Sequence, residues 1–83
     1  MSCADLIGRR VKVLNCSHET EGLVVGESKN AIYILREGRT AVVPKSLCDF
    51  LDLEELKLIR GIHLLGYRDV RLLSERCLSF SYR

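Results

Sequence analysis

Between Gly8 and Ser46 short apolar-alternating segments are cut by turn residues at close intervals. A chain written this way folds as a small, strongly bent β-sheet rather than as helices. Val11 and Val13 interleave with Arg10 and Lys12, so the first segment turns an apolar face inward and holds its cations in water. Leu23-Val24-Val25, Ile32-Tyr33-Ile34-Leu35 and Thr40-Ala41-Val42-Val43 follow, separated by Ser28-Lys29-Asn30 and by Glu37-Gly38. Four strands are thereby expected before mid-chain. Gly22 and Gly26 bracket the second and supply the bend or bulge that closing a small sheet needs.

The 83 residues make one domain, near the lower limit at which a single core holds a fold unaided. The expected architecture is an all-β, five- to six-stranded antiparallel barrel filled by its own side chains, with no cleft for a large substrate. Residues 1–7 are expected as an N-terminal helical turn, capped by Ser2 and ended by Gly8, with Leu6 and Ile7 plugging one mouth of the barrel. The barrel itself spans 8–66, with Asn15 to Glu21 as a loop and Leu47 to Glu55 as a turn and connection leading to a fifth strand at Leu56 to Arg60. A single amphipathic helix over Leu51 to Ile59 is the competing assignment. Ile62 to Leu65 reads as a further strand. Residues 67–83 form a C-terminal extension that opens as a helix capped by Asp69, with Val70, Leu73 and Cys77 on one face, and ends in the alternating Leu78-Ser79-Phe80-Ser81-Tyr82.

Thirteen basic residues against eleven acidic ones leave a formal net charge of only +2, so total charge does not identify a partner. Cys3, Cys16, Cys48 and Cys77 are scattered without a C-x-x-C pair, which argues against zinc and for buried small hydrophobes. The chain shows no signal-peptide pattern and no long apolar span, so a cytoplasmic location away from membranes is expected. In that compartment a disulfide is expected only if the source is a hyperthermophile. His18 in a polar loop and His63 in an apolar segment are expected to be structural, and no phosphate loop, metal cluster or nucleophile signature is present. No catalytic residue, metal or cofactor is assigned.

Leu6-Ile7-Gly8, the glycine-led Gly22-Leu23-Val24-Val25 strand, the turn Glu27-Ser28-Lys29-Asn30-Ala31 and the closing Val43-Pro44-Lys45 occur in a characteristic order. In that order the chain resembles the Sm-like-barrel protein subunit of archaeal and eukaryotic ribonuclease P, known in archaea as ribonuclease P protein component 1. The family turn is acidic-Thr-Arg-Asn-Thr; here both threonines and the arginine are replaced, while Asn30 and a cation at Lys29 are kept. Gly66-Tyr67-Arg68-Asp69-Val70-Arg71 approximates the later family segment G-R-P-E-D-R, with Gly66 and Arg71 matching. The resemblance covers roughly residues 6 to 71.

The resemblance implies an Sm-like barrel with a non-catalytic role. In ribonuclease P the RNA removes the 5′ leader of precursor tRNA, and the protein subunits support the RNA fold and substrate binding. The implied partners are ribonuclease P RNA, other ribonuclease P protein subunits and, indirectly, precursor tRNA. Cations on a rigid barrel suit such a role, because structured RNA is recognised largely through backbone and shape. The expected RNA-contacting set is Arg10, Lys12, Lys29, Asn30, Arg39, Lys45 and Arg71, with Lys12, Lys29, Arg39 and Lys45 taken to lie at exposed strand positions or turns. Leu73, Cys77, Leu78, Phe80 and Tyr82 are expected either to cap the barrel or to dock a second protein subunit, and the latter is favoured. Two other readings stay open: a KOW-type barrel of ribosomal proteins and transcription factors, similar at Gly8 to Val13 and Glu21 to Val25, and an SH3-like module that binds only protein.

Overall fold

The computed structural model describes residues 3–17 and 19–73. Six strands form one antiparallel sheet: β1 (Arg10–Leu14), β2 (Glu21–Glu27), β3 (Ala31–Arg36), β4 (Arg39–Pro44), β5 (Asp49–Asp52) and β6 (Lys57–Arg60), ordered β4-β3-β2-β1-β5-β6. A 3-10 turn (Gly61–Leu64) and one short helix, α1 (Arg68–Leu72), follow. The mostly β, six-stranded antiparallel expectation therefore holds, and the first four strands lie where the alternation puts them.

The sheet curls because its register breaks. Leu23 and Val24 pair with Leu35 and Ile34, but Gly26 and Glu27 pair with Tyr33 and Ile32, so Val25 is left over as a bulge. A bulge raises the local twist and bends the strand. The curled inner face gathers Val11, Val13, Val24, Ile32, Ile34, Val43, Phe50 and Ile59 into one core, closed by Leu6, Cys48 and Leu64.

Four expectations are corrected. Residues 3–6 form no helix: the Asp5 carboxylate accepts the Ile7 N–H (3.3 Å) and the chain turns at Ile7 and Gly8, the latter at φ 85°. Leu6 enters the core while Ile7 stays exposed. The segment read as a connection contains β5, whose Phe50 pairs with Val13 and Ile59. Its Asp52 points inward because Arg9 Nε donates to it (2.7 Å), as do the N–H groups of Glu54 (3.0 Å) and Glu55 (3.4 Å), which also ends the strand and excludes a helix over Leu51 to Ile59. Ile62 to Leu65 is not a strand, since Gly61 and Leu64 are buried and Ile62, His63 and Leu65 are exposed, a spacing of three that fits the 3-10 turn. Helix α1 starts at Arg68, and it is Arg71 that faces inward, while Val70 and Leu73 are 65% and 68% exposed.

The cysteines also depart from expectation. Cys16, in the β1–β2 loop, is bonded to Cys48 before β5, with Cα atoms 5.1 Å apart and a sequence separation of 32. Cross-linking over such a span contributes about 2–4 kcal/mol, mainly by constraining the unfolded chain.

Candidate nucleic-acid interface

Alternation turns Arg10 and Lys12 outward on β1. Cross-strand pairing lays Arg10, Leu23, Leu35 and Thr40 in one row over the outer face, while Lys12 lies opposite Glu21 on one side and Leu51 on the other. The β3–β4 hairpin turns through Glu37 (φ 51°) and Gly38 (φ 78°), the two positive φ values that a tight two-residue turn requires. Its ends are Arg36 and Arg39, directly opposite each other. Like charges in that relation repel and disfavour the hairpin, so a bound anion there offsets a standing cost. A shallow pocket of about 350 Å³ opens beside them, lined by Arg10, Glu21, Gly22, Leu35, Arg36 and Glu37.

Arg10, Lys12, Arg36 and Arg39 are exposed and form no ion pair among the described residues. Arg9, Arg60 and Arg68 are engaged. Arg9 serves Asp52 (2.7 Å) and Glu55 (3.3 Å), Arg60 lies 3.8 Å from Asp49, and Arg68 pairs with Asp5 through Nε (2.8 Å) and Nη2 (2.5 Å). Arg36 escaped the sequence reading, although it directly precedes the Glu37-Gly38 turn.

Lys29 and Asn30 are exposed at the β2–β3 turn, the opposite end of β3 from Arg36. Six residues of strand separate the two groups by about 20 Å. The sequence-predicted set is thus split, with Arg10, Lys12 and Arg39 towards one end and Lys29 and Asn30 at the other.

Lys45 and Arg71 belong to neither surface, and the expected exposure of Lys45 is corrected. Their relative exposures are 0% and 1%. Both donate to Glu27 Oε1 at 2.7 Å. Lys45 Nζ also donates to the carbonyls of Ser28 (2.7 Å), Gly66 (3.1 Å) and Lys29 (3.4 Å), and Arg71 Nη1 to that of Ala4 (3.0 Å). Glu27 Oε2, also buried, accepts no hydrogen bond from the described residues. One carboxylate thus joins the N-terminal segment, the β2–β3 turn, the end of β4 and α1. Glu27, Lys45, Gly66 and Arg71, four of the positions that carry the family resemblance, meet in this buried knot.

Three carboxyl groups sit below the ordinary aspartate range. The hydrogen bond from Arg68 holds Asp5 down, and that from Asn15 (2.8 Å) holds Asp49 down. Burial pushes Asp52 up, but the Arg9 hydrogen bond and the N–H groups of Glu54 and Glu55 together outweigh it. Depressed native values mean that the unfolded chain binds more protons in the acid range, so stability falls with pH. Denaturant midpoints are therefore expected to drop as pH passes below about 4, the unfolded aspartate value, and Asp52→Asn is expected to flatten that decline.

His63 is exposed on the 3-10 turn, and His18 lies outside the described residues, as do Cys77, Leu78, Phe80 and Tyr82. Leu73, the described member of the expected docking set, is exposed. No helix among the described residues is long and apolar enough to cross a membrane.

Fold and site together define a small antiparallel β domain, curled on a single core and knotted by buried ion pairs, with unpaired cations on its outer surface. No protein-family model matches the chain. It is similar to ribonuclease P protein component 1 of Pyrococcus furiosus, 36% identical over 76 residues that cover 82% of this chain. The chain spans 59% of that relative's length.

Proposed function

We propose that this chain is a non-catalytic, RNA-binding protein subunit of a ribonuclease P, acting beside a catalytic RNA and other protein subunits in removing 5′ leaders from precursor tRNA. The similarity to ribonuclease P protein component 1 along most of the chain carries this reading. The unpaired Arg10, Lys12, Arg36 and Arg39 support it, since cations left without protein anions are available to phosphates. Lys29 and Asn30 form a second contact group on the same reading. The C-terminal extension is proposed to dock a protein subunit, and the cytoplasm is the proposed location.

The test is recovery of RNA with the native protein, followed by binding measurements across a salt series. Recovery of ribonuclease P RNA is the expected result. Ribosomal or nascent messenger RNA in its place supports a KOW-type barrel, and no RNA at all supports a protein-interaction module. With the cognate RNA, affinity is expected to fall as salt rises, and Arg10→Ala, Lys12→Ala, Lys29→Ala, Arg36→Ala and Arg39→Ala each to lower the logarithmic salt slope by about one unit per lost contact. Affinity that does not change with salt refutes the phosphate assignment.

A further inference from the structure

We propose that the Ser28–Asn30 turn is a cradle for a phosphodiester group, and that buried Lys45 is the positioning residue that shapes it. The proposal rests on the RNA-binding reading and adds where and how one phosphate is held.

The turn's carbonyls all face inward partners. Those of Ser28 and Lys29 accept from Lys45 Nζ, that of Lys29 also accepts from Gly66 N (2.9 Å), and that of Asn30 accepts from Lys45 N (2.8 Å). The donors of the turn are unused. The backbone N–H groups of Lys29 and Asn30 donate to no acceptor among the described residues, nor do the Lys29 ammonium and the Asn30 amide. Both residues are exposed. A turn whose acceptors are consumed from within and whose successive N–H groups remain free has the electrostatics of an anion-binding concavity.

The cation beneath the turn has the matching sign: the Lys45 ammonium donates directly to the Ser28 and Lys29 carbonyls, so its charge lies against the turn. Buried charge is poorly screened by salt, so it favours an anion at the turn's outer face. Lys45 touches no phosphate here; it acts through the carbonyls that it holds.

Dimethyl phosphate, a bare phosphodiester, is titrated into the full chain at constant ionic strength while backbone amide resonances are followed. The expected result is a saturable shift of the Lys29 and Asn30 amides that chloride does not produce. Lys29→Ala is expected to weaken that binding by about two- to fivefold, the range of an exposed ion pair, and to leave the two amides as the responders. Lys45→Met is expected to abolish the paired shift while Arg10 and Arg36 still give salt-dependent RNA binding. Undiminished response of the two amides in folded Lys45→Met overturns the positioning role. The wild-type titration decides the cradle whether or not that variant folds. Absence of a shift at both amides, or shifts spread evenly over all basic residues, overturns the cradle. RNA that binds without perturbing the two amides overturns the cradle alone, whereas a phosphodiester response in a protein that retains no RNA supports the cradle and refutes the RNA-binding reading.

Discussion

Glu27→Gln is expected to lower unfolding free energy by about 3–5 kcal/mol, the cost of leaving buried charge without its counter-ion. The substitution keeps the side chain's shape and removes the one carboxylate shared by Lys45 and Arg71. Lys45 then remains in the interior with no anionic partner among the described residues, and Arg71 loses its Glu27 contact. A domain of 83 residues has about 4–12 kcal/mol in total, so this single change removes at least about a quarter of it. Urea denaturation followed by far-ultraviolet circular dichroism measures it. Adding Lys45→Met and Arg71→Met is expected to recover most of the loss, because apolar side chains of similar length need no counter-ion. A Glu27→Gln variant within about 0.5 kcal/mol of wild type, the range of ordinary surface changes, would show that the knot is not ion-paired in solution.

The knot also shows where the sequence could be read and where it could not. Period-two alternation places β1 to β4 and most of the core, because those strands are half-buried and their polar residues sit on the outer face. The same period, continued from Ala41 and Val43, brings Lys45 inward. A lysine after Pro44 nevertheless suggests a surface turn, and the general rarity of buried lysine outweighs the local pattern. Glu27 is a harder case. Counting from Val24 puts Gly26 on the inner face, and only the extra residue Val25 shifts the count so that Glu27 pairs inward with Ile32. A glycine signals that a bulge is available; where it falls is settled by packing across the sheet.

Strand β5, and the inward face of the expected helix α1, failed to show for a related reason. Asp49 and Asp52 bound β5 with residues that disfavour strands, and only their partners Asn15 and Arg9, more than thirty residues away in sequence, make those positions tolerable. In α1 the periodic apolar residues Val70 and Leu73 point to water, while Arg71 reaches inward to Glu27. Local hydrophobic period predicts a buried face only when the core supplies apolar neighbours, and here it supplies a carboxylate. The basic surface was half legible. Arg10, Lys12 and Arg39 follow from alternation and turn chemistry, but the distance between them and Lys29 emerges only when β3 is laid out between the two turns.

Gly61→Ala is expected to be among the most damaging single-methyl changes in the chain, costing about 3 kcal/mol or more, at the upper end of what overpacking does. Conformational freedom is not the reason, since Gly61 has no positive φ. A Cβ built there falls on the carbonyl oxygens of both Lys45 and Cys48, which are backbone atoms and cannot swing aside. Gly61 is also where the chain leaves β6, its N–H donating to Asp49 (3.2 Å), so moving it disturbs the β5–β6 pair and the segment that holds Lys45. Gly38→Ala is the matched control. It adds the same methyl into open space at φ 78°, and its expected cost is the about 1–2 kcal/mol of left-handed backbone alone. Denaturant midpoints of the two variants measure the difference. Equal losses would mean that the backbone around Gly61 relaxes freely, contrary to a glycine wedged against the Lys45 and Cys48 carbonyls.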